Sequence, residues 1–185
     1  MALSLPFGSR VIVAGIALAV IPRVSPAQST TVTMLGYTTT VPAGWTPRAA
    51  SSSMRLAEYT IAAPDGSVGA EVVVYFFGKG QGGAVEPNLT RWRAQFSTPD
   101  GSPVPEKITR DSTGAFPITI AEYTGTYARG IGAGDASNAK RGQTLVAAIA
   151  ETPRGTMFAQ LFGPAAAVGA QREALVRFVK GLKDP

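Results

Sequence analysis

The segment Gly78-Lys79-Gly80-Gln81-Gly82-Gly83 is the part of this sequence best suited to hold a ligand. Its four glycines let the backbone turn at positive φ and let a bound group come close, and Lys79 supplies a cation. The segment follows a strand-like apolar run and precedes a helical pattern. Its amides would therefore sit at a helix N-terminus, where an anion is favoured. The order is not that of a phosphate loop, because no Lys-Ser or Lys-Thr pair follows the last glycine. A flexible crossover needing positive φ explains the same residues without a ligand.

Four carboxylates, Glu58, Glu71, Glu122 and Glu151, lie on or at the ends of strand-like runs. Two of them in one cleft, about 5–9.5 Å apart, could do acid and base work as in a glycosidase. Solvated or ion-paired strand-end carboxylates are the plainer expectation, and no residue is assigned a catalytic role. A loop from Arg129 to Gly142 carries three alternate glycines with Asp135, Lys140 and Arg141. Without a strand before and a helix after, it is no dinucleotide fingerprint. It reads instead as a partner-binding loop or a disordered one. Candidate partner contacts are Arg91, Arg93, Arg129, Lys140 and Arg141. Trp92 and Trp45 are expected in the core. Asn88-Leu89-Thr90 fits a glycosylation acceptor, but it falls inside a helical pattern and reads as chance.

The missing residue types exclude more chemistry than the present ones suggest. The 185 residues contain no histidine and no cysteine. A Ser-His-Asp triad, a histidine metal site, a thiol nucleophile and a disulfide frame are all ruled out. No metal or other cofactor is expected. The net charge of +5 is too mild, and too scattered, for a nucleic-acid partner.

Arg10, the apolar run Val11 to Ile21, and the small residues Ser25 and Ala27 describe a secretory leader, residues 1–27. The apolar run is eleven residues, and a membrane span needs about 20. Cleavage after Ala27 would leave 158 of the 185 residues, remove two arginines and lower the charge to +3. Residues 28–185 fit one domain, large enough to bury about 70% of its chain surface. Export without disulfides points to a bacterial cell envelope, periplasmic or extracellular, with no transmembrane segment after cleavage.

The elements that must position these residues follow from period and turns. Thr31 to Leu35 and Tyr37 to Val41 alternate around Gly36 as a hairpin. Leu56 to Ala62 is a strand, ended by Pro64-Asp65-Gly66-Ser67. Gly69 to Phe77 is apolar on both faces and predicts a central strand covered on both sides. Val85, Leu89, Trp92 and Phe96 form one helical stripe. Lys107 to Asp111, Ile118 to Tyr127, Thr144 to Glu151 and Thr156 to Phe162 are strands. The last two flank a turn, Thr152 to Gly155. Val168, Leu175, Phe178, Val179 and Leu182 stripe a final helix, and Gly169 places its regular start after that glycine. The fold class is α+β: a mainly antiparallel sheet of about six to seven strands flanked by helices.

Several segments together resemble a known group. They are Ser52 to Ala57, Phe77 to Gly83, Glu86 to Trp92 with Gln95-Phe96 and Pro99-Asp100-Gly101, Glu122 to Tyr127, Leu145 to Glu151 and Phe162-Gly163-Pro164. The chain resembles a group of uncharacterised exported bacterial proteins similar in layout to the PsbP-like α/β/α sandwich, named for an extrinsic photosystem II protein. The resemblance spans about Val32 to Lys183 and implies an antiparallel sheet between helices. It implies no function, and no site residue is carried over. The expected function is an exported, non-catalytic domain that serves a protein partner or an envelope assembly, as a monomer or weak oligomer. The alternative is a small-molecule or anion-binding module using residues 78–83, and the third is a carboxylate-dependent hydrolase.

Overall fold

The computed structural model describes residues 30–128 and 139–185. The expected leader, 1–27, and the residues 129–138, including Arg129, lie outside the described residues. Among the described residues no helix is long and apolar enough to cross a membrane.

The chain opens with a separate antiparallel hairpin, β1 (Thr30–Met34) and β2 (Tyr37–Val41). Leu35 and Gly36 join them at φ 50° and 76°, as a two-residue hairpin turn of this hand requires. An eight-stranded antiparallel sheet follows. Its members are β3 (Trp45–Arg48), β4 (Arg55–Ala62), β5 (Val68–Tyr75), β6 (Phe96–Ser97), β7 (Glu106–Asp111), β8 (Ile118–Tyr127), β9 (Lys140–Thr152) and β10 (Gly155–Pro164). Across the sheet the order is β3-β4-β5-β10-β9-β8-β6, and β7 also pairs with β8. Helix α1 (Val85–Arg93) lies on one face and helix α2 (Ala165–Lys180) on the other. The α+β class expected from the sequence is present, with more strands than the six to seven anticipated. The extra ones are β3 and β6. Neither has the length to show a period, and β3 contains Pro47, which an edge strand tolerates.

Two apolar clusters hold the layers together. Under α2, Val72, Val74, Val146, Leu161, Leu175 and Phe178 meet with almost no solvent contact. Trp45 closes the end of this cluster. Its ring lies 5.3 Å from Phe178 and 5.5 Å from Tyr59, and its indole N–H donates to Gln171 Oε1 at 3.0 Å. The β1–β2 hairpin joins the same cluster through Met34, Tyr37 and Val41. Arg154 pins the hairpin turn, donating to Leu35 O at 3.2 Å with its guanidinium 4.2 Å from the Tyr37 ring centre. Under α1, Leu89, Trp92, Phe96, Tyr123 and Phe158 form the second cluster. The two tryptophans are thus both core residues.

Three expectations are corrected. Helix α2 begins at Ala165, before Gly169, because Gly169 is exposed while Val168 and Leu175 on the buried face supply the docking energy. Strand β9 begins at Lys140, so Lys140, Arg141 and Gly142 belong to a strand that the polar composition disguised as loop. The β5 run is not covered on both sides. Val72 and Val74 are buried, but Val73 and Tyr75 are only half-buried. The reason is size. Helix α1 has nine residues and is about 13 Å long, whereas α2 has sixteen and is about 24 Å long. The shorter helix packs over β8, β9 and β10, and among the described residues no helix covers β4 and β5 on its side.

Candidate functional site

The uncovered half of the sheet forms a groove beside α1. Its main part has a volume of about 450 Å³. The floor is Val73 and Tyr75 from β5, Gln160 and Phe162 from β10, and Leu145 from β9. One wall is Gln95, just after α1, with Tyr127 at the end of β8; Arg55 of β4 stands on the other side. A second part of about 220 Å³ shares Tyr75, Gln95, Tyr127 and Gln160 with the first and runs on to Phe77 and Arg91. The register explains why these residues meet. Phe158 lies opposite Tyr75, Gln160 opposite Val73 and Phe162 opposite Glu71, all on the face away from α2.

The lining is aromatic and amide. Tyr127 and Phe162 have ring centres 4.5 Å apart, and Tyr75 lies parallel to Phe77 at 6.0 Å. Arg55 sits 5.4 Å from the Tyr75 ring centre. Gln95 and Gln160 each bring a donor and an acceptor to the same space. Phe77 is 37% exposed and Met54 49%, both large for apolar side chains, and they flank the end of the groove near Tyr75.

The four glutamates divide between the faces. Glu58 and Glu71 share the groove face on neighbouring strands, one register step off opposite. Diagonal neighbours of this kind stand about 7–8 Å apart, within reach of the spacing a carboxylate pair requires. Neither is set up as a proton donor. Glu58 is buried, accepts the Ser51 backbone N–H, and pairs with Arg55 at 3.1 Å. The Ser51 amide, with further help from Arg55, holds its carboxyl below the ordinary range. Glu71 faces Arg48 at 3.8 Å. A general acid needs the opposite treatment, burial away from cations. Glu122 lies on the α2 face against Arg172 at 3.0 Å, and Glu151 is exposed near the end of β9. Among the described residues no three His, Cys, Asp or Glu side chains gather to hold a metal.

No family model matches this chain, and no curated protein matches it either. Among solved structures, the solution structure of cyanobacterial PsbP (CyanoP) from Synechocystis sp. PCC 6803 matches with a TM-score of 0.54 at 11% identity. The match covers 91% of this chain and 99% of that one. The fold is PsbP-like.

Within this PsbP-like frame the glycine segment serves packing. Gly78, Gly80, Gly82 and Gly83 all have positive φ, and the Gln81 N–H closes a turn on Gly78 O at 3.0 Å. A Cβ on Gly82 would lie 2.6 Å from the Phe158 ring. The segment therefore lies on the sheet at the head of α1, and Lys79 is exposed. Asn88 is buried and donates to Gly82 O at 2.9 Å and Ala84 O at 2.8 Å, while Arg91 donates to its Oδ1. An asparagine so enclosed is no glycan acceptor. Of the basic candidates, Arg91 and Lys140 line the groove. Arg93 pairs with Glu106 at 3.4 Å, and Arg141 is exposed on β9. Sequence reasoning missed Tyr75, Tyr127 and Gln160 as site residues. One signal was available: Gln160 is a lone polar residue inside an apolar strand, which marks a sheet face open to solvent.

The carboxylates also set the acid response. Asp111, bonded by Lys180 of α2 and by Thr113, is held well below the usual carboxylate range, and Glu58 is also lowered. A carboxyl whose folded value is depressed adds stability above its unfolded value, near 4, and that stability is lost as pH falls toward the folded value. The urea midpoint is therefore expected to fall from about pH 5 downward and to stay nearly level between about pH 5.5 and 8, where histidine would titrate. Asp111→Asn should flatten the acid limb. A steep change near neutrality, or an acid limb untouched by Asp111→Asn together with Glu58→Gln, would contradict this assignment.

Proposed function

We propose that this chain is an exported, non-catalytic accessory domain of the bacterial cell envelope that holds a protein partner in the groove beside α1. The observation that carries the reading is the lining: aromatic rings and two free-standing amides on a rigid sheet, with the nearby carboxylates locked into ion pairs. Such a surface suits binding and positioning, and among the described residues its carboxylates are paired with arginines rather than poised to move a proton. The leader-like residues 1–27 support export, and the absence of histidine and cysteine supports a binding role over catalysis.

The test is site-specific photo-cross-linking of the full chain in its native envelope. A photoreactive residue at Gln160 should give a discrete protein adduct, and one at Ala166, exposed on α2, should not. Val73→Trp, which fills the floor of the groove, should abolish the Gln160 adduct while leaving the urea midpoint nearly unchanged. Equal adducts from both positions, or none from Gln160, would sink the reading.

A further inference from the structure

We infer that the groove is built for an extended acidic peptide segment carrying two carboxylates about four residues apart. The inference rests on the partner-binding reading above and specifies the partner's chemistry. The groove runs along β5 and β10, and its floor from Phe162 to Phe158 spans four residues, about 13 Å at strand rise. A cation stands toward each end: Lys140 at the Leu145 and Phe162 end, Arg91 at the Phe77 and Phe158 end. Neither pairs with a carboxylate among the described residues; Arg91 meets only the neutral Asn88 amide.

The remaining charges around the groove cancel. Arg55 is matched by Glu58 and Arg48 by Glu71, so among the described residues of the groove the unmatched charge is the two terminal cations. Between them Gln95 and Gln160 present amide groups, the natural partners of a peptide backbone, and Tyr127 borders the same space with an aromatic edge for a side chain between the two acids. An extended chain repeats its backbone groups at the spacing of the strands beneath it, so one segment can use both amides and reach both cations. A helix would rise only about 6 Å over the same four residues and could not span the two ends. Opposite charges at both ends also fix register and exclude basic segments.

The probe is a synthetic blocked heptapeptide of valine and threonine with glutamate at its second and sixth positions, titrated into the full protein by nuclear magnetic resonance. A second peptide replaces both glutamates with lysine. The acidic peptide should bind and shift the Gln95, Gln160 and Tyr127 amides. The lysine peptide should bind at least roughly tenfold more weakly. The double variant Arg91→Glu with Lys140→Glu should lose about tenfold for the acidic peptide and reverse the preference, and Lys140→Glu alone, which breaks no bond to a buried group, should weaken the acidic peptide in the same direction with its thermal midpoint unchanged. Equal binding of the two peptides, or acidic-peptide affinity untouched in the double variant, overturns the inference. If neither peptide binds while the Gln160 cross-link persists, the partner reading stands and this chemistry is wrong. If the cross-link is absent as well, both fail.

Discussion

Phe178→Ala is expected to destabilise the protein by about 3–5 kcal/mol, the range for removing a fully buried phenylalanine from a close-packed core. Phe178 is 2% exposed and lies where three elements meet. Its ring is 5.3 Å from Trp45 of β3 and 6.1 Å from Tyr59 of β4, and its own carbonyl accepts the Thr39 hydroxyl of β2 at 2.6 Å. The truncation leaves a cavity under α2 that the paired strands cannot close, because their backbone positions are fixed by the ladder. For a domain whose total stability is of order 5–15 kcal/mol this is a large fraction. Urea unfolding should show a lower midpoint with an unchanged slope, and Trp45 fluorescence should change in the folded state. Phe178→Leu, which keeps most of the volume, should lose far less. A loss under about 1 kcal/mol for the alanine variant would mean that the α2 face is not the principal core.

Trp92→Ala is expected to act locally and to remove the groove. Helix α1 has nine residues, too few to be stable alone, since isolated helices shorter than about 12–15 are marginal in water. It stays on the sheet because Leu89 and Trp92 are buried, with Trp92 edge-on to Phe158 at 6.3 Å and the Tyr123 hydroxyl donating to Leu89 O at 3.1 Å. Without the indole, the remaining contacts cannot hold one face of so short a helix. Amide exchange should accelerate through 85–93 by more than in β8, and the wall bearing Arg91 and Gln95 should no longer form. The Gln160 cross-link would then disappear although the sheet still melts cooperatively. Equal acceleration of α1 and β8 amides would show that α1 belongs to the same cooperative unit as the sheet, against this expectation.

These two variants separate the two faces of one sheet. The α2 face holds the larger apolar cluster, and it includes the hairpin that Thr39 fastens to the end of α2 and Arg154 fastens to the β9–β10 turn. The α1 face carries less packing and more unoccupied polar surface. Such a division fits the proposed binding role: one face packed by a long helix, the other bearing a groove.

Much of the fold was legible in the sequence. Local chemistry dictates where the strands turn. Gly36 enters a tight turn at positive φ, and Pro64-Asp65-Gly66-Ser67 closes a turn in which the Asp65 carboxylate accepts the Ser67 N–H at 2.9 Å. Leu89 and Trp92 of α1 and Val168, Leu175, Phe178 and Val179 of α2 are buried where their spacing predicted, but Phe96 belongs to strand β6 and Leu182 lies past the end of α2, so each predicted stripe ran one residue beyond its helix. The strands β4, β5, β7, β8, β9 and β10 are present near their expected positions. Strands β3 and β6 escaped because a four-residue and a two-residue strand carry no readable alternation; each is defined by what it pairs with. Gly125 illustrates the point. Only its lack of Cβ lets β6 approach, since a Cβ there would lie 2.6 Å from Ser97 O.

The candidate site was hardly legible. Its residues come from β4, β5, β8, β9, β10 and the end of α1, separated by up to about a hundred positions, and no local motif joins them. The β5 run reads as buried on both faces because hydropathy reports what a side chain prefers, not what covers it. Whether Val73 and Tyr75 meet a helix or solvent depends on where α1 docks and how far its nine residues reach. Likewise Glu58 and Glu71 are two strand glutamates in the sequence, and only the register puts them on one face and gives each an arginine. Composition determined the excluded chemistries and the layered α+β class, because missing side chains and local periods are properties of the chain itself. Tertiary structure alone decided the groove, since an uncovered half-sheet is set by the difference in length between two helices on opposite faces.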